Sequence, residues 1–327
     1  MSTDPVERRD VWTRYWSSGM PHSCGTSYES TYGGAVGRFW RDAFAGLDET
    51  DRVLDLATGN AALPRLLCEA MPDALAECDA IDIAQVSPPW LSTLDPQRRQ
   101  RIRIHAGVGA ETLPFAQGTF SLVISQYGIE YADLTRAIPE VLRVRSPAGR
   151  IRLLAHHSSS QPVLLARHEI EHIDWLLASD GLLDRASAMV EPIRRSVTEQ
   201  GRASLARDAA AGQARARFDE VQASLARRLA SARCPDVLHE ARDWVAQAFR
   251  AGVSAGVTAG QHALDQVRVQ LVDSRLRLVD LCRHALDEPA VRSLCLSFSA
   301  VGLRTTALPL ADQGHLLGWA VSADPGG

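Results

Sequence analysis

The stretch Arg52-Val53-Leu54-Asp55-Leu56-Ala57-Thr58-Gly59-Asn60-Ala61-Ala62 decides how the rest of the chain is read. Arg52 to Leu56 is a short apolar run of the kind buried on both faces of a parallel sheet. It ends in an acid and a turn of small residues, and Asn60 onward has helical spacing. A strand, a small-residue turn and a helix N-terminus together suit a bound nucleotide-like ligand. The turn has one glycine, Gly59, where a dinucleotide loop has three. Ala57 and Ala61 are tolerable in glycine's place if their backbone keeps negative φ.

Further short runs follow the same pattern. Glu77 to Ala84 is a second buried strand ending near Asp82, and Arg101 to Gly107 alternates as a third. Phe120 to Gly128 is a fourth and Gly149 to His157 a fifth, with helical stretches or loops between. Strands alternating with helices imply βαβ units and a parallel sheet. From Ser158 to Leu286 the strand signal disappears. Val267, Leu271, Leu278 and Cys282 share a helix face, as do Phe218, Val221, Leu225 and Leu229. Breaks at Gly181, Gly201, Pro235 and Gly252 to Gly260 divide this block into four or five helices. A last helix ends near Gly302, and Leu303 to Leu310 and His315 to Val321 form two strands joined by Asp312-Gln313-Gly314, an antiparallel hairpin. The expected fold is α/β: a Rossmann-like, mostly parallel sheet with a C-terminal antiparallel hairpin and a large α-helical insertion. Its parts are an N-terminal helical cap over 1–50, a sheet domain over 51–157 and 287–327, and an insertion over 158–286.

Composition narrows the function classes. The chain has 327 residues, 46% of them hydrophobic and 23% charged, with a formal net charge of -4. No basic field favours nucleic acid. The N-terminus lacks the apolar core of a signal peptide and no run is long enough to span a bilayer, so a cytoplasmic protein without membrane contact is expected. The six cysteines are scattered, without a C-x-x-C pair, and read as reduced thiols. His168-Glu169-Ile170-Glu171-His172 fits the letters of the zinc-protease helix H-E-x-x-H. A third ligand and a matching fold are not evident, so it reads as a solvated helix face and no metal is expected.

In an open parallel sheet, ligands bind at the carboxyl ends of the strands. Asp82 there can accept hydrogen bonds from a ribose diol, and the Asp55–Gly59 turn lets backbone N–H groups approach a ligand, so both suit an adenosine-type ligand. The series Asp55 to Asn60, Asp82, Ala110-Glu111-Thr112-Leu113-Pro114-Phe115 and Leu142-Arg143-Val144 to Gly149-Arg150 resembles the successive motifs of class I S-adenosylmethionine-dependent methyltransferases. The flavour is that of the small-molecule branch similar to the ubiquinone/menaquinone enzymes. The resemblance covers roughly Trp12 to His157 and Leu303 to Val321. It implies S-adenosylmethionine as cofactor. Asp55 would sit near the methionine amino group, and Ala57, Gly59 and Asn60 at the methionine part. Asp82 would hold the ribose, Ile83 would pack on adenine, and Ala110 and Glu111 would line the adenine edge. Ser125, Gln126 and Tyr127 would border the methyl path. Gly109 and Ser121 stand where the family usually has aspartate.

Methyl transfer from a sulfonium needs alignment and a dry site, with a base only for a protonated nucleophile. His156, His157, Glu130 and Tyr131 are the candidates for that role, against the alternative that they close a strand and start a helix. Alternation sends the two histidines to opposite faces. Trp12, Tyr15, Trp16, Tyr28 and Tyr32 would form a lid and acceptor wall. The expected reaction is methylation of an O or N atom of a small molecule. The alternatives are a non-catalytic cofactor-binding scaffold or a protein or RNA methyltransferase, and the insertion is a candidate homodimer surface.

Overall fold

The computed structural model describes residues 5–23, 32–73 and 75–326. Seven strands form one sheet: β1 (Arg52–Leu56), β2 (Glu77–Asp82), β3 (Ile102–Ala106), β4 (Phe120–Gln126), β5 (Arg145–Ala155), β6 (Leu303–Asp312) and β7 (His315–Pro325). Their order is β3-β2-β1-β4-β5-β7-β6. The first five pair in parallel, and β7 runs antiparallel to both β5 and β6. The β6–β7 turn places Gln313 at φ 49° and Gly314 at φ 81°, two successive left-handed residues as a tight hairpin requires.

Strand alternation builds two cores. Leu54, Leu56, Ile81, Val123 and Leu153 pack with α5 (Leu134–Val144) and α12 (Glu288–Ser299), where Phe298 is wholly buried. Val53, Cys78, Leu122, Ile124 and Leu154 pack with α2 (Gly34–Phe44) and α3 (Ala62–Ala70), around a wholly buried Trp40. Each such aromatic contributes roughly 2 to 3 kcal/mol by burial. The side chains of Asp55 and Asp82 fall on the α2–α3 face by the same alternation.

The chain forms two compact units: the part up to Val163 together with the part from Asp280 on, and Leu164–Val279. The divisions lie within α6 (Gln161–Leu177) and α11 (Val257–His284), not in the loops at 157 and 287. Leaving and returning strands of chain meet in the first unit. Ser158 N donates to Leu286 O at 3.0 Å, and Leu286 N donates to His156 O at 2.8 Å. Ends held this close let a long segment be interposed at small cost.

The 164–279 unit has its own core, drawn from α7 (Leu182–Arg195), α9 (Ala209–Ser231), α10 (Asp236–Ala255) and the parts of α6 and α11 within it. Phe218, Val221 and Leu225 are buried there with Leu238, Val245 and Leu271. Six helices, α6 to α11, cover this stretch among the described residues, more than the four or five expected. The extra one is α8 (Glu199–Leu205), which contains Gly201 inside its first turn. Thr198 accepts a hydrogen bond from Gly201 N, so the residue taken for a breaker sits in a capped start.

Candidate functional site

The turn after β1 is pinned in an uncommon backbone. Ala57, Gly59 and Ala61 have φ of 55°, 55° and 58°. The condition under which alanine would be strain-free at 57 and 61, a negative φ, is not met; each left-handed alanine costs roughly 1 to 2 kcal/mol. Hydrogen bonds hold the conformation. Thr58 N donates to Ile81 O at 2.9 Å, Ala61 N to Thr58 O at 2.9 Å, and Gly59 N to Asp82 Oδ2 at 2.8 Å. A β-carbon on Gly59 would meet the Trp16 ring at 2.5 Å, and one on Gly128 would meet Ala57 Cβ at 2.4 Å. The lack of a side chain at Gly128 lets the β1 and β4 turns approach this closely at the switch point of the sheet. Ser125 ties them as well, donating to Leu56 O at 2.9 Å and accepting from Ile129 N at 3.1 Å. Unfavourable backbone concentrated in this way marks functional sites, and Tyr127 adds a further case at φ 52°.

Two buried carboxylates lie beneath. Asp82 accepts from Gly59 N and, through Oδ1, from Ala84 N at 2.8 Å. Burial raises its pKa to about 6, against the pull of these two bonds. Asp55 is 1% exposed and its Oδ2 accepts from the Thr58 hydroxyl at 2.5 Å. Burial first, and then the neighbouring Asp82, raise its pKa to about 8. Burial thus favours the neutral form of both acids, more strongly at Asp55 than at Asp82.

Above them opens a cavity of about 550 Å³ at the carboxyl ends of the strands. Of the cofactor candidates, Ala57, Asp82, Ile83, Ala110, Glu111, Gln126 and Tyr127 line it. Asp55, Gly59 and Asn60 do not line it and shape the turn behind its wall. Asn60 differs most from expectation, because its amide holds the N-terminal segment: Nδ2 donates to Met20 O at 2.7 Å and Trp16 O at 3.0 Å. Gly109 also gains a physical reason. A β-carbon there would lie 2.7 Å from Glu111 Oε2, so the Glu111 carboxylate fills the space of a side chain at 109. Its other oxygen, Oε1, accepts from Asp133 N at 3.0 Å.

Among the aromatic candidates, Trp12, Trp16 and Tyr32 line the cavity. Tyr15 packs edge-on against Trp12 and Trp16 without lining it. Tyr28 lies outside the described residues. Trp12 and Trp16 stand one turn apart on α1 (Pro5–Ser17) and stack at 5.6 Å. Arg8 of the same helix was not evident from sequence. It donates through Nε to Asp280 Oδ2 at 2.8 Å and through Nη1 to Tyr131 O at 2.9 Å. Its Nη2 meets His284 Nε2 at 2.9 Å. A guanidinium only donates, so His284 accepts as a neutral ring, in keeping with a pKa lowered by burial and by Arg8. Its partners are separated from Arg8 by more than 120 residues of chain, which no local pattern reveals. His22, 2% exposed, and Thr58 also line the cavity and were not singled out.

The base candidates fall differently from expectation. Tyr131 lines the cavity, whereas His156, His157 and Glu130 do not. His156 is buried beneath the Tyr127 ring, stacked at 4.1 Å, and its ring Nδ1 and backbone N both donate to Glu130 Oε1 at 2.8 and 2.9 Å. His157 points to the other face, as alternation requires, and stacks on Trp319 at 4.5 Å. Glu130 and Tyr131 belong to a 3-10 turn (Ile129–Tyr131) separate from α5, whose start is capped by Asp133. Strand closure and packing thus account for the three that miss the cavity. Among the described residues no group of three or more His, Cys, Asp or Glu is arranged to hold a metal, and no helix is long and apolar enough to cross a membrane.

Comparison with known proteins agrees with this geometry. Residues 54–153 match the family model of a methyltransferase domain. An uncharacterized methyltransferase, YcgJ of Bacillus subtilis, is 29% identical over 117 residues, 35% of this chain and 44% of that protein. A demethylmenaquinone methyltransferase of Thermus thermophilus is 36% identical over 107 residues, 32% of this chain and 46% of that protein. The chain thus spans under half the length of either relative. The solved YcgJ structure covers 44% of this chain and 58% of its own, at 24% identity and a TM-score of 0.33. The match begins within β1 and ends within β5, over the strands whose ends form the cavity, and identifies residues 54–153 as a methyltransferase domain.

Proposed function

We propose that the protein transfers a methyl group from S-adenosylmethionine to an O or N atom of a small-molecule acceptor. The observation that carries this reading is the pairing, in one cavity, of Asp82 with an aromatic wall of Trp12, Trp16, Tyr32 and Tyr127. The residues present fit the cofactor. Each Asp82 oxygen keeps a lone pair beyond its backbone bond, enough to accept ribose hydroxyls. Ile83, 37% exposed at the cavity, offers apolar surface for an adenine ring. When bound, the cofactor supplies an already activated methyl group.

The protein's own work is then positioning and exclusion of water. Thr58 and the left-handed turn hold the floor. The ionised form of Asp82 favours a cationic ligand, and Trp12 and Trp16 cover the site. Tyr131 is the base candidate within reach of the cavity, and the His156–Glu130 pair supports the ring of Tyr127 from below. Under this reading the N-terminal segment acts as a lid, and the sheet unit carries the chemistry. The Thermus relative, named for demethylmenaquinone, supports a small-molecule acceptor.

The test is transfer of the methyl group of labelled S-adenosylmethionine into a small-molecule extract, with S-adenosylhomocysteine measured alongside. Label recovered in an extractable metabolite, dependent on Asp82, is the expected result. Label entering only protein or RNA would replace the small-molecule reading. Cofactor binding without any label transfer would favour a scaffold.

A further inference from the structure

Gln126 ends β4 and is 9% exposed. Its Oε1 accepts from Trp40 Nε1. An indole N–H can only donate, so the amide cannot be flipped: its oxygen faces Trp40 and its NH₂ group faces away. Trp40 is wholly buried in the core against α3 and the sheet, so this orientation is fixed by packing. Nε2 is buried and has no partner among the described residues, although Gln126 lines the cavity. A buried donor without an acceptor is costly, and a ligand oxygen is what would relieve it.

The position of this donor indicates which ligand. Asp82 ends β2, and the order β2-β1-β4 puts two strand spacings, about 10 Å, between it and Gln126. The residues assigned to adenine and ribose, Asp82, Ile83 and Ala110, belong to the β2–β3 side. Gln126 belongs to the opposite side, with Tyr127, Tyr32 and, against Tyr32 at 5.4 Å, His22. These are flat walls beside the fixed Gln126 donor. The charged lining comprises the carboxylates Asp82, Glu111 and Asp133 and the guanidiniums Arg8, already paired with Asp280, and Arg136, beside Asp133, a balance that still disfavours an anionic oxygen in the acceptor.

Resting on the methyltransferase reading above, we infer that Gln126 recognises the methyl acceptor, by donating from Nε2 to a neutral carbonyl oxygen on a planar ring compound. Gln126 is thereby a specificity residue for the acceptor, distinct from the group that holds the cofactor.

The experiment uses the full chain saturated with S-adenosylhomocysteine and two matched probes, acetophenone and ethylbenzene, with benzoate as a charged control. Binding is followed by ligand-observed NMR in wild type, Gln126→Glu and Gln126→Met. Glutamate keeps an acceptor for Trp40 Nε1 while removing the donor; methionine guards against protonation of that glutamate. The expected result is an advantage of acetophenone over ethylbenzene of about tenfold in wild type, lost in both variants. S-adenosylhomocysteine affinity stays within about twofold in both. Absence of an acetophenone advantage, including absence of acetophenone binding, overturns the inference, as does tighter binding of benzoate. A large loss of S-adenosylhomocysteine affinity in both variants also overturns it, by assigning the amide to the cofactor. Failure of wild type to bind S-adenosylhomocysteine at all would instead remove the methyltransferase reading on which the inference rests.

Discussion

The two sides of the cavity satisfy their polar groups differently. On the β2 side Asp82 is held by two backbone N–H donors, from Gly59 and Ala84, before any ligand arrives. On the β4 side Gln126 is satisfied at one end only. The first side is a finished cradle built from local turns. The second is a rigid donor mounted on core packing that reaches back to α2. The difference teaches that polar groups on the two sides are set by different forces, turn geometry on one side and tertiary packing on the other.

The largest effect should come from breaking the cradle. Gly59→Val places a branched side chain at φ 55° and into the Trp16 ring. S-adenosylhomocysteine affinity should fall by at least ~100-fold, measured by calorimetry, while the far-UV spectrum keeps its helix content. Retained affinity would mean that the turn is an ordinary connection. Next in size is Asp82→Ala, which removes an acceptor for two backbone donors and for the proposed ribose contact. A loss of roughly 10- to 100-fold is expected, with Asp82→Asn milder because one acceptor oxygen survives.

A smaller effect concerns Asp55, which supports the cradle from behind. Its folded pKa of about 8 lies above its unfolded value, so the folded state holds the extra proton. That contribution is full below about pH 4 and is lost as pH rises toward 8. Asp82 adds the same trend up to about pH 6. Asp55→Asn, which mimics the protonated form, should be more stable than wild type by about 1 to 2 kcal/mol at pH 8, with the gap closing toward pH 4. Denaturant melts across that range check it, and a gap that widens toward acid would contradict the sign. The smallest effect should be at His157, outside the cavity and stacked on Trp319. His157→Gln should leave S-adenosylhomocysteine affinity within about twofold.

The cradle was more legible than the acceptor side for a physical reason. Asp82 ends β2, and strand ends follow from apolar periodicity within a short window, whereas Ile83, Ala110 and Glu111 came from the motif resemblance. Gln126 and Tyr127 also came from the resemblance, but the consequence of Gln126 did not, because it depends on Trp40, 86 residues away. Arg8 and the burial of His156 depend on similar long-range contacts. The alanines at 57 and 61 misled in another sense: small side chains say nothing about φ, and the loop's hydrogen bonds to β2 force the left-handed backbone. The insertion was readable as helical from its stripes, while its short α8 was hidden by a glycine that reads as a break.

The central claim is that the cavity at the ends of β1 to β4 is where the cofactor binds. Hydrogen–deuterium exchange of the wild-type chain with and without S-adenosylhomocysteine tests it most directly. The account predicts slowed exchange in 57–62, 82–84 and 108–113, with the 209–231 helix unchanged. Binding that leaves those three segments unprotected, or no binding by the folded chain, would contradict it.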